Sequence, residues 1–358
     1  MRVCQLKRRL KLKKTAIVTG CPGQVATHLV RHLLSLNYRV IGTYRYSSQP
    51  FVERFKNYPT DVDFIPVSVD IVDPSAVLNL FREWEPDEIY NLAAAAHVGE
   101  SFKNPSSVFD INTKAVVNFL EGLRLYPGTR FIQASTSEMW GSNYSTDKDG
   151  TRFQDEQTPF FGNSPYAVAK IAAHNMVELY QRSYDLFCCS YIAHNHEGEY
   201  RGENYVTMKI VKWVAAFKKW ELAHPTGKKT YDSDNIYIDG DPFPKLRLGN
   251  IHSVRDWSYA GDFAEAAHLI LQQDEPRTYV LASGRGRSVA EFLEIALRHV
   301  GVRNWQDHYV VDPAFFRPCE VEFLQGRSDL IKEELGWEPK VSFEEMVERM
   351  FNYVNSNR

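Results

Sequence analysis

Two residues four positions apart have the chemistry of an acid–base pair. Tyr166 and Lys170 lie in a segment that starts with Ser164 and Pro165, a typical beginning of a helix. On a helix, side chains at this spacing point to the same side. A phenol has a pKa of about 10, and an ammonium group close by favours the phenolate and lowers that pKa. The pair therefore predicts a tyrosine that accepts and donates protons near neutral pH.

A second set of polar side chains ends a predicted strand upstream of this helix. Residues 130–134 form an apolar run, and Ser135-Thr-Ser-Glu138 follows it directly. The Thr136 hydroxyl can hydrogen-bond a substrate oxygen, and Glu138 adds a carboxylate two residues further, on the same side of the strand. Together with Tyr166, these residues predict a site with more than one base.

The tyrosine–lysine spacing is not specific by itself, because Tyr205 and Lys209 repeat it. We assign the catalytic role to Tyr166 and Lys170, since that copy follows a complete nucleotide-binding half and a strand end rich in Ser and Thr. For the second copy a catalytic role is not expected.

The segment that must hold a cofactor lies near the start of the chain. An apolar strand over residues 14–19 runs into a glycine-containing turn, residues 20–26, and then into an amphipathic helix over 27–36. Glycine is needed there because the backbone turns tightly and approaches phosphates, which bind to N–H groups at the start of the helix. Ala26 stands at the third glycine position, where a small residue lets the helix pack on the strand. The pattern predicts a dinucleotide-binding site.

The end of the second strand bears on the choice between NAD and NADP. Residues 38–44 form that strand, Arg45 follows it, and no Asp or Glu lies between Tyr38 and Pro50. An acidic residue there binds the ribose 2′-hydroxyl of NAD, whereas an arginine accommodates the 2′-phosphate of NADP. We therefore expect NADP; the alternative is that Arg45 is only a surface charge.

The next strands complete an alternating pattern. A strand over 62–69 ends at Asp70, which could hydrogen-bond the adenine, and a strand over 88–93 runs into three alanines that start at Ala94. Small side chains there let a flat cofactor lie close, although they equally serve close packing. Strands that alternate with helices at this pace predict a Rossmann-like, doubly wound parallel sheet. A helix over 262–271 and a strand over 279–282 are expected to return to it.

Beyond residue 197 the alternation stops, which predicts a second lobe. Residues 221–246 are polar and rich in Lys, Asp, Gly and Pro, so we expect a long loop there rather than a core element. The expected division is a basic N-terminal extension (1–13), an NADP-binding Rossmann domain (14–197 and 251–283) and a smaller C-terminal α/β lobe that binds the substrate (198–250 and 284–358).

Composition indicates a soluble globular protein. Of the 358 residues 44% are hydrophobic and 24% charged, and the net charge of −3 gives no reason to expect nucleic-acid or membrane binding. No stretch approaches the ~18 apolar residues of a membrane span. The basic N-terminal segment has no apolar run typical of a secretory signal, so a solvated extension is favoured over a targeting or phosphate-binding arm. The five cysteines form no C-x-x-C pair, which predicts reduced thiols, a cytoplasmic location and no metal site.

Nearly the whole chain, from residue 15 to about 350, resembles a known family. The matching segments are Thr19-Gly-Cys-Pro-Gly-Gln24, Arg45-Tyr-Ser-Ser48, Asn91-Leu-Ala-Ala94, Ala96-His-Val98, Ser135-Thr-Ser-Glu138, Ser164-Pro-Tyr-Ala-Val-Ala-Lys170, Asn195-His-Glu197, Arg201-Gly-Glu203, Val206-Thr207 with Lys209, Leu248-Gly-Asn250, Arg255-Asp-Trp257 and Phe316-Arg-Pro318. In these segments the chain resembles the extended short-chain dehydrogenase/reductases and, within them, the GDP-mannose 4,6-dehydratases. Epimerases of this superfamily usually lack a glutamate at the position of Glu138, and dTDP-glucose dehydratases carry Asp-Glu in place of Ser137 and Glu138.

The resemblance implies roles for individual residues. The catalytic residues would be Thr136, Glu138, Tyr166 and Lys170. The residues expected at the cofactor, NADP, are Gly20, Pro22, Gly23, Gln24, Val25, Arg45, Ser47, Ser48, Asp70, Ile71, Leu92, Ala93, Ala94, Ala96, Lys170, His196 and Arg201. Those expected at the nucleotide sugar are Ser137, Asn195, Lys209, Leu248, Asn250, Arg255, Arg317 and Glu320. Arginine suits a diphosphate because its guanidinium group donates two parallel hydrogen bonds, although each charged residue could instead form a structural salt bridge.

The implied reaction is the dehydration of GDP-mannose to GDP-4-keto-6-deoxymannose, by transient oxidation at C4, loss of water across C5–C6 and return of the hydride to C6. The resemblance also implies tightly held NADP and a homodimer or homotetramer. The alternatives are dehydration of a related nucleotide sugar such as a GDP-heptose, a nucleotide-sugar epimerase or reductase, and a catalytically silent, NADP-sensing protein. Glu138 argues against an epimerase or reductase, and the intact Tyr166 and Lys170 argue against a silent protein.

The chain departs from the family's pattern at several positions. The substitutions are Tyr46 for the second arginine of an Arg-Arg-Ser-Ser loop, Val25 and Ala26 for Asp and Gly, Ser107 for a tyrosine that contacts the cofactor, and Gly198-Glu-Tyr200 for Ser-Pro-Arg. Two insertions stand out, one between Glu138 and Tyr166 and a longer one before Leu248. The longer one, residues 222–245, lies where the nucleotide base is expected. It either flanks the nucleotide or is a passive surface loop.

Overall fold

The computed structural model describes residues 13–21, 23–45, 63–316 and 319–356. Short strands and helices alternate through most of these ranges. The strands are β1 (Thr15–Val18), β2 (Arg39–Tyr44), β3 (Phe64–Ser68), β4 (Glu88–Asn91), β5 (Arg130–Thr136), β6 (Ser145–Thr146), β7 (Arg152–Phe153), β8 (Cys188–Ala193), β9 (Asn195–Glu197), β10 (Lys229–Tyr231), β11 (Asn235–Ile238), β12 (Asp241–Pro244), β13 (Leu246–Leu248), β14 (Val254–Tyr259), β15 (Tyr279–Leu281), β16 (Gly286–Ser288) and β17 (Tyr309–Val311).

Seven of the strands form one parallel sheet in the order β15-β8-β5-β4-β1-β2-β3. All neighbouring pairs run in the same direction. The carboxyl ends of the seven strands therefore lie at one edge of the sheet. This is the doubly wound sheet that the alternating pattern predicted, and β15 returns to it as expected.

Helices cover both faces of this sheet. The α-helices of the described ranges, including those of the second lobe, are α1 (Gln24–Ser35), α2 (Pro74–Trp84), α3 (Val98–Ser101), α4 (Pro105–Phe109), α5 (Ala115–Leu125), α6 (Pro165–Tyr184), α7 (Val206–Leu222), α8 (Ala260–Leu271), α9 (Val289–His299), α10 (Asp329–Leu335) and α11 (Phe343–Ser356), with a π-helical turn (Asp110–Lys114) between α4 and α5. On one face, Leu29 and Leu33 of α1 share a buried cluster with Phe263 of α8. On the other, Phe81 of α2 packs with Phe119 of α5. Across the described ranges, no helix is both long and apolar enough to cross a membrane.

A separate apolar cluster forms the core of a second lobe. It contains Phe217 of α7, Phe292 of α9 and Met346 of α11, all with no exposed surface. Trp257 of β14 joins them, with its ring 5.5 Å from that of Phe292. Because β14 also pairs in parallel with β9, which follows β8 almost directly, this lobe is attached close to the carboxyl edge of the large sheet.

Residues 221–246 do not form the expected loop. Strands β10, β11 and β12 make a three-stranded antiparallel sheet, here called the meander (residues 229–244). Ile236 and Ile238 alternate with polar residues and are fully buried, and the Phe243 ring lies 5.2 Å from that of Trp220 on α7. The expectation was wrong because the apolar alternation is only four residues long and is flanked by polar turns.

Candidate active site

The glycine-containing turn places the start of α1 at the carboxyl end of β1. Gly20 has a φ of +75°, and a Cβ atom there would lie 2.9 Å from the backbone of Ala93. Only glycine combines this backbone conformation with so close an approach. Gly23 is the N-cap of α1, and no side chain in the described ranges caps the helix. The first N–H groups of α1 therefore lie where a phosphate could accept their hydrogen bonds.

Hydrogen bonds tie the ends of β1 and β4 together beneath this turn. The Thr19 hydroxyl oxygen accepts hydrogen bonds from the backbone N–H groups of Leu92 and Ala93, both at 3.0 Å. The same hydroxyl donates to Asn91 Oδ1 at 2.7 Å, and Asn91 Nδ2 donates to Gln133 Oε1 at 2.7 Å. The network fixes Leu92 and Ala93, two predicted cofactor contacts, against the turn.

Two buried amide oxygens near this edge have no hydrogen-bond partner in the described part of the chain. Gln24 Nε2 donates to the carbonyl oxygen of His196 at 2.8 Å, which leaves Gln24 Oε1 unpaired. Asn195 Oδ1, next to His196 on β9, is also unpaired. Buried polar atoms are normally paired, so unpaired ones indicate where a ligand contributes its own polar groups. The turn and these acceptors fit a dinucleotide across the strand ends.

His196 and Arg201, two residues expected to hold the cofactor, lie at the same edge. Burial, reinforced by Arg201, lowers the pKa of His196 to about 4, so its imidazole is neutral at pH 7. Arg201 Nε lies 2.9 Å from Glu197 Oε2, although this contact lacks the direction of a hydrogen bond. Glu197 also accepts a hydrogen bond from the Thr207 hydroxyl at 2.7 Å. A buried carboxylate therefore holds the Arg201 guanidinium in place.

Arg45, Asp70 and Ile71 follow the neighbouring strands β2 and β3. Arg45 is exposed, and the Asp70 carboxylate accepts a hydrogen bond from the Val72 N–H at 3.0 Å. The Ile71 side chain is buried in the core. Four further predicted positions lie outside the described residues; they are Pro22, Ser47, Ser48 and Arg317.

The predicted catalytic residues Thr136, Glu138 and Tyr166 meet at the end of β5. Thr136 caps a short 3₁₀ helix, Ser137–Trp140, and its hydroxyl oxygen accepts from the Glu138 N–H at 3.3 Å. The Thr136 hydroxyl and the Glu138 carboxylate both lie close enough to the Tyr166 phenol to influence its pKa. The Ser137 side chain is buried behind them. The arrangement offers a phenol and a carboxylate to one substrate.

The Tyr166 phenol is more basic than an exposed tyrosine. Burial raises its pKa well above the ordinary value, and the nearby Tyr205 and Glu138 raise it further. A hydrogen bond from Thr136 and the charge of Arg201 act in the opposite direction but do not outweigh burial. In the protein alone Tyr166 is therefore a protonated phenol at neutral pH.

Lys170 does not produce the expected lowering of the Tyr166 pKa. Its Nζ donates to the carbonyl oxygen of Ala134 at 2.7 Å, and burial lowers the pKa of the ammonium group to about 8. The spacing correctly indicated one helix, α6, but the expected lowering of the Tyr166 pKa was wrong, because burial raises that pKa more than Thr136 and Arg201 lower it. A phenolate here needs a further positive charge in the site.

One group of predicted substrate residues lies where β9 and β14 run side by side. Asn195 stands on β9, and Arg255 on β14 is nearly buried, at 7% exposed. Arg255 Nη2 lies 3.5 Å from Glu320 Oε1, which also accepts from the Ser253 hydroxyl at 3.4 Å. The ion pair with Glu320 therefore fixes the Arg255 guanidinium on β14, the strand that pairs with the Asn195 strand, β9.

A second group surrounds β13 and the start of α7. Lys209 Nζ donates to the carbonyl oxygen of Arg247 at 2.8 Å and lies 3.7 Å from the centre of the Phe315 ring. The Leu248 side chain is buried in the core of the second lobe, so only its backbone could meet a nucleotide. The Asn250 side chain closes a local turn.

The meander touches this second group through one ion-pair network. Arg247 Nη2 lies 2.9 Å from Asp234 Oδ1, in the turn between β10 and β11, and Nη1 lies 3.2 Å from Asp312. The Asp234 carbonyl oxygen also accepts from the Lys245 N–H at 2.8 Å. The tip of the meander therefore abuts the strand that carries Leu248.

Two residues near the phenol were not assigned from the sequence. Glu197 positions Arg201, and Tyr205, dismissed as part of a chance repeat, acts on the Tyr166 phenol. The position of Tyr205 in the sequence could have indicated its place in the site, because it stands midway between Arg201 and Lys209, both of which were expected there.

Comparisons with known proteins agree with this geometry. Residues 17–239 and 237–350 match the profile of a family described as GDP-mannose 4,6 dehydratase. The chain is 37% identical over 352 residues to GDP-mannose 4,6 dehydratase 1 of Arabidopsis thaliana, which covers 95% of this chain and 90% of that relative.

Solved structures share the fold over nearly the whole chain. The UDP-glucose 4-epimerase of Thermotoga maritima, with UDP-glucose, superimposes with a TM-score of 0.78 at 23% identity, covering 96% of this chain and 99% of that one. The UDP-glucose 4-epimerase of Thermus thermophilus, in complex with NAD, gives 0.77 at 26% identity, covering 96% and 100%. The chain therefore belongs to the GDP-mannose 4,6-dehydratase family, within the extended short-chain dehydrogenase/reductases.

Proposed function

We propose that this protein dehydrates GDP-mannose to GDP-4-keto-6-deoxymannose with tightly held NADP. The observation that carries the proposal is Glu138, a carboxylate whose charge acts on the Tyr166 phenol at the carboxyl edge of the sheet. Chemistry confined to C4, as in an epimerase or reductase, needs only the tyrosine, whereas elimination across C5–C6 needs a second base. Family membership favours the same reaction.

The residues that would hold the cofactor are the backbone at the start of α1, Gln24, Lys170, His196 and Arg201. Gly20 and Gly23 leave room for its pyrophosphate. When bound, the oxidised cofactor would supply a hydride acceptor for C4, a hydride donor for C6 after reduction, and a positive charge in the site. A positive charge near Tyr166 would lower the raised pKa of its phenol and so favour the phenolate.

The side chains of the protein move the protons. Tyr166 takes the proton of the 4-hydroxyl, and Thr136 hydrogen-bonds the same oxygen while it becomes a ketone. The ketone acidifies C5–H, and Glu138 removes that proton. Glu138 then gives a proton to the departing 6-hydroxyl, which leaves as water, and Tyr166 or solvent returns a proton to C5. The sugar therefore gives up one proton from the 4-hydroxyl and one from C5. One proton leaves with the water, and one returns to C5.

A panel of nucleotide sugars tests the proposed function. With GDP-mannose, the protein should form a product lighter by one water, detected by mass spectrometry. Loss of water from a GDP-heptose but not from GDP-mannose would transfer the proposal to that substrate. A product of unchanged mass and altered configuration would indicate an epimerase, and no reaction with any sugar would favour a silent, NADP-sensing protein.

Cofactor choice gives a prediction at Arg45, which is exposed at the end of β2. The unmutated protein should prefer NADP, and Arg45→Ala should weaken NADP by roughly tenfold or more while NAD changes little, because only NADP has the 2′-phosphate. Calorimetric titration with both cofactors measures this. The control is Arg39→Ala, at the opposite end of the same strand. Equal affinity for both cofactors in the unmutated protein would refute the preference.

We also propose that the meander supports the base-binding end of the substrate site. Deleting it would remove Ile236 from the core of the second lobe, so the sharper change is Asp234→Asn, which breaks the ion pair with Arg247. The KM for the nucleotide sugar should rise by up to about fivefold, since an exposed pair is worth about 1 kcal/mol or less, with a smaller change in kcat. The control is Asp149→Asn in a distant exposed turn. An unchanged KM would identify the meander as a passive surface element.

A further inference from the structure

Tyr205 lies inside the candidate active site, although its motif was judged a chance repeat. It is the residue before α7, and its N–H donates to the Gly202 carbonyl oxygen at 3.2 Å. Its ring contacts that of His97, and Val98, the next residue, packs against the buried cluster that contains Tyr166. The start of α7 therefore brings a second phenol to the site that Tyr166 occupies.

The Tyr205 ring is held in one orientation by its neighbours. The Arg201 guanidinium lies 3.6 Å from the ring centre on one side, a cation–π contact, and Glu197 holds that guanidinium in turn. The His97 ring lies 5.9 Å away, centre to centre. Gly202 also packs on the ring, since a Cβ there would lie 3.3 Å from it.

The phenol hydroxyl, unlike the ring, has no hydrogen-bond partner in the described part of the chain. Packing alone would be satisfied by phenylalanine, because the contacts with Arg201, His97 and Gly202 all involve the ring. A hydroxyl group on a ring fixed in this way is a pre-oriented donor and acceptor. It is placed where a substrate of Tyr166 would bind.

We propose that the Tyr205 hydroxyl hydrogen-bonds a non-reacting hydroxyl group of the hexose and so selects the sugar. The inference rests on the proposed function. In that reaction Tyr166 and Thr136 take the C4 oxygen, and Glu138 serves C5 and C6, so the hydroxyl groups left for recognition are those at C2 and C3. Tyr205 is therefore a sugar-binding residue rather than a second catalytic base.

The test compares binding in a background where turnover is blocked. GDP-mannose and GDP are titrated into Tyr166→Phe and into Tyr166→Phe/Tyr205→Phe, both loaded with NADP. Loss of the hydroxyl should weaken GDP-mannose roughly three- to tenfold, the range for one neutral hydrogen bond, and leave GDP unchanged. The control is Tyr166→Phe/Tyr184→Phe, which removes an exposed hydroxyl at the end of α6. Binding is measured without turnover, so it is informative even if the unmutated protein fails to dehydrate GDP-mannose.

Deoxy analogues locate the contact. Tyr166→Phe and Tyr166→Phe/Tyr205→Phe should bind either the 2-deoxy or the 3-deoxy form of GDP-mannose with equal affinity. That form is the one that lacks the hydroxyl group contacted by Tyr205. The inference is overturned if GDP-mannose binds equally to both proteins, if GDP is weakened as much as GDP-mannose, or if the loss persists with both analogues. An equal weakening of GDP would show that Tyr205 only supports the fold.

Discussion

Replacing Tyr166 with Phe should lower kcat by roughly 10²–10⁴-fold, the range expected when a general acid–base residue is removed. The change deletes one hydroxyl group and keeps a buried ring that is 7% exposed, so the fold should survive. Burial raises the pKa of Tyr166, so the active phenolate becomes more populated as the pH rises. The rate of the unmutated protein should rise with pH over the range in which Tyr166 loses its proton. The Tyr166→Phe variant should not show that rise. Single-turnover rates at several pH values measure both effects.

Two controls separate catalysis from structure. Tyr184→Phe removes an exposed hydroxyl at the end of the same helix and should leave kcat unchanged. Tyr205→Phe, in the second copy of the spacing, should change kcat far less than Tyr166→Phe. If Tyr205→Phe instead abolished turnover and Tyr166→Phe did not, the acid–base residue would be Tyr205.

Glu138→Gln should separate oxidation from dehydration. Glutamine keeps the shape of the side chain but cannot take the C5 proton, and Glu138 is the only carboxylate in the segment 135–138. The variant should bind substrate and form a 4-ketone with reduced cofactor, detected by absorbance. Dehydration should fall by roughly 10²–10⁴-fold, and exchange of the C5 hydrogen with deuterium oxide should fall with it.

The matched control for Glu138→Gln is Glu100→Gln. Glu100 is an exposed carboxylate on α3 that pairs with Lys103, and its loss should not alter dehydration or exchange. Normal dehydration by Glu138→Gln would mean that another group is the C5 base, and the assignment of Glu138 would then be withdrawn.

The parallel sheet and its cofactor turn could be predicted because their signals are local. A buried parallel strand is a short apolar run, and Gly20 and Gly23 mark the point where the chain must turn closely. The confirmed features are the alternating order of strands and helices, the return of β15 and the family. The meander escaped prediction because its buried residues, Ile236 and Ile238, alternate over a single short strand.

The electrostatics of the site could not be predicted from spacing. The distance between Tyr166 and Lys170 along the helix is visible in the sequence, but burial is a property of the folded protein, and here it decides the sign of the pKa shift. Tyr205 was missed for a similar reason. Its role depends on Arg201 and His97, which lie far from Tyr166 in the sequence or on other elements, and only the fold brings them together.

The most direct test of the proposed dehydration follows the hydrogen on C4. The unmutated protein is incubated with GDP-mannose carrying deuterium at C4, and the product is analysed by NMR spectroscopy and mass spectrometry. Because the hydride is removed and returned within one site, the deuterium should appear on C6 of GDP-4-keto-6-deoxymannose with little loss. A product that lacks the label, or a label recovered in free reduced cofactor, would contradict the account.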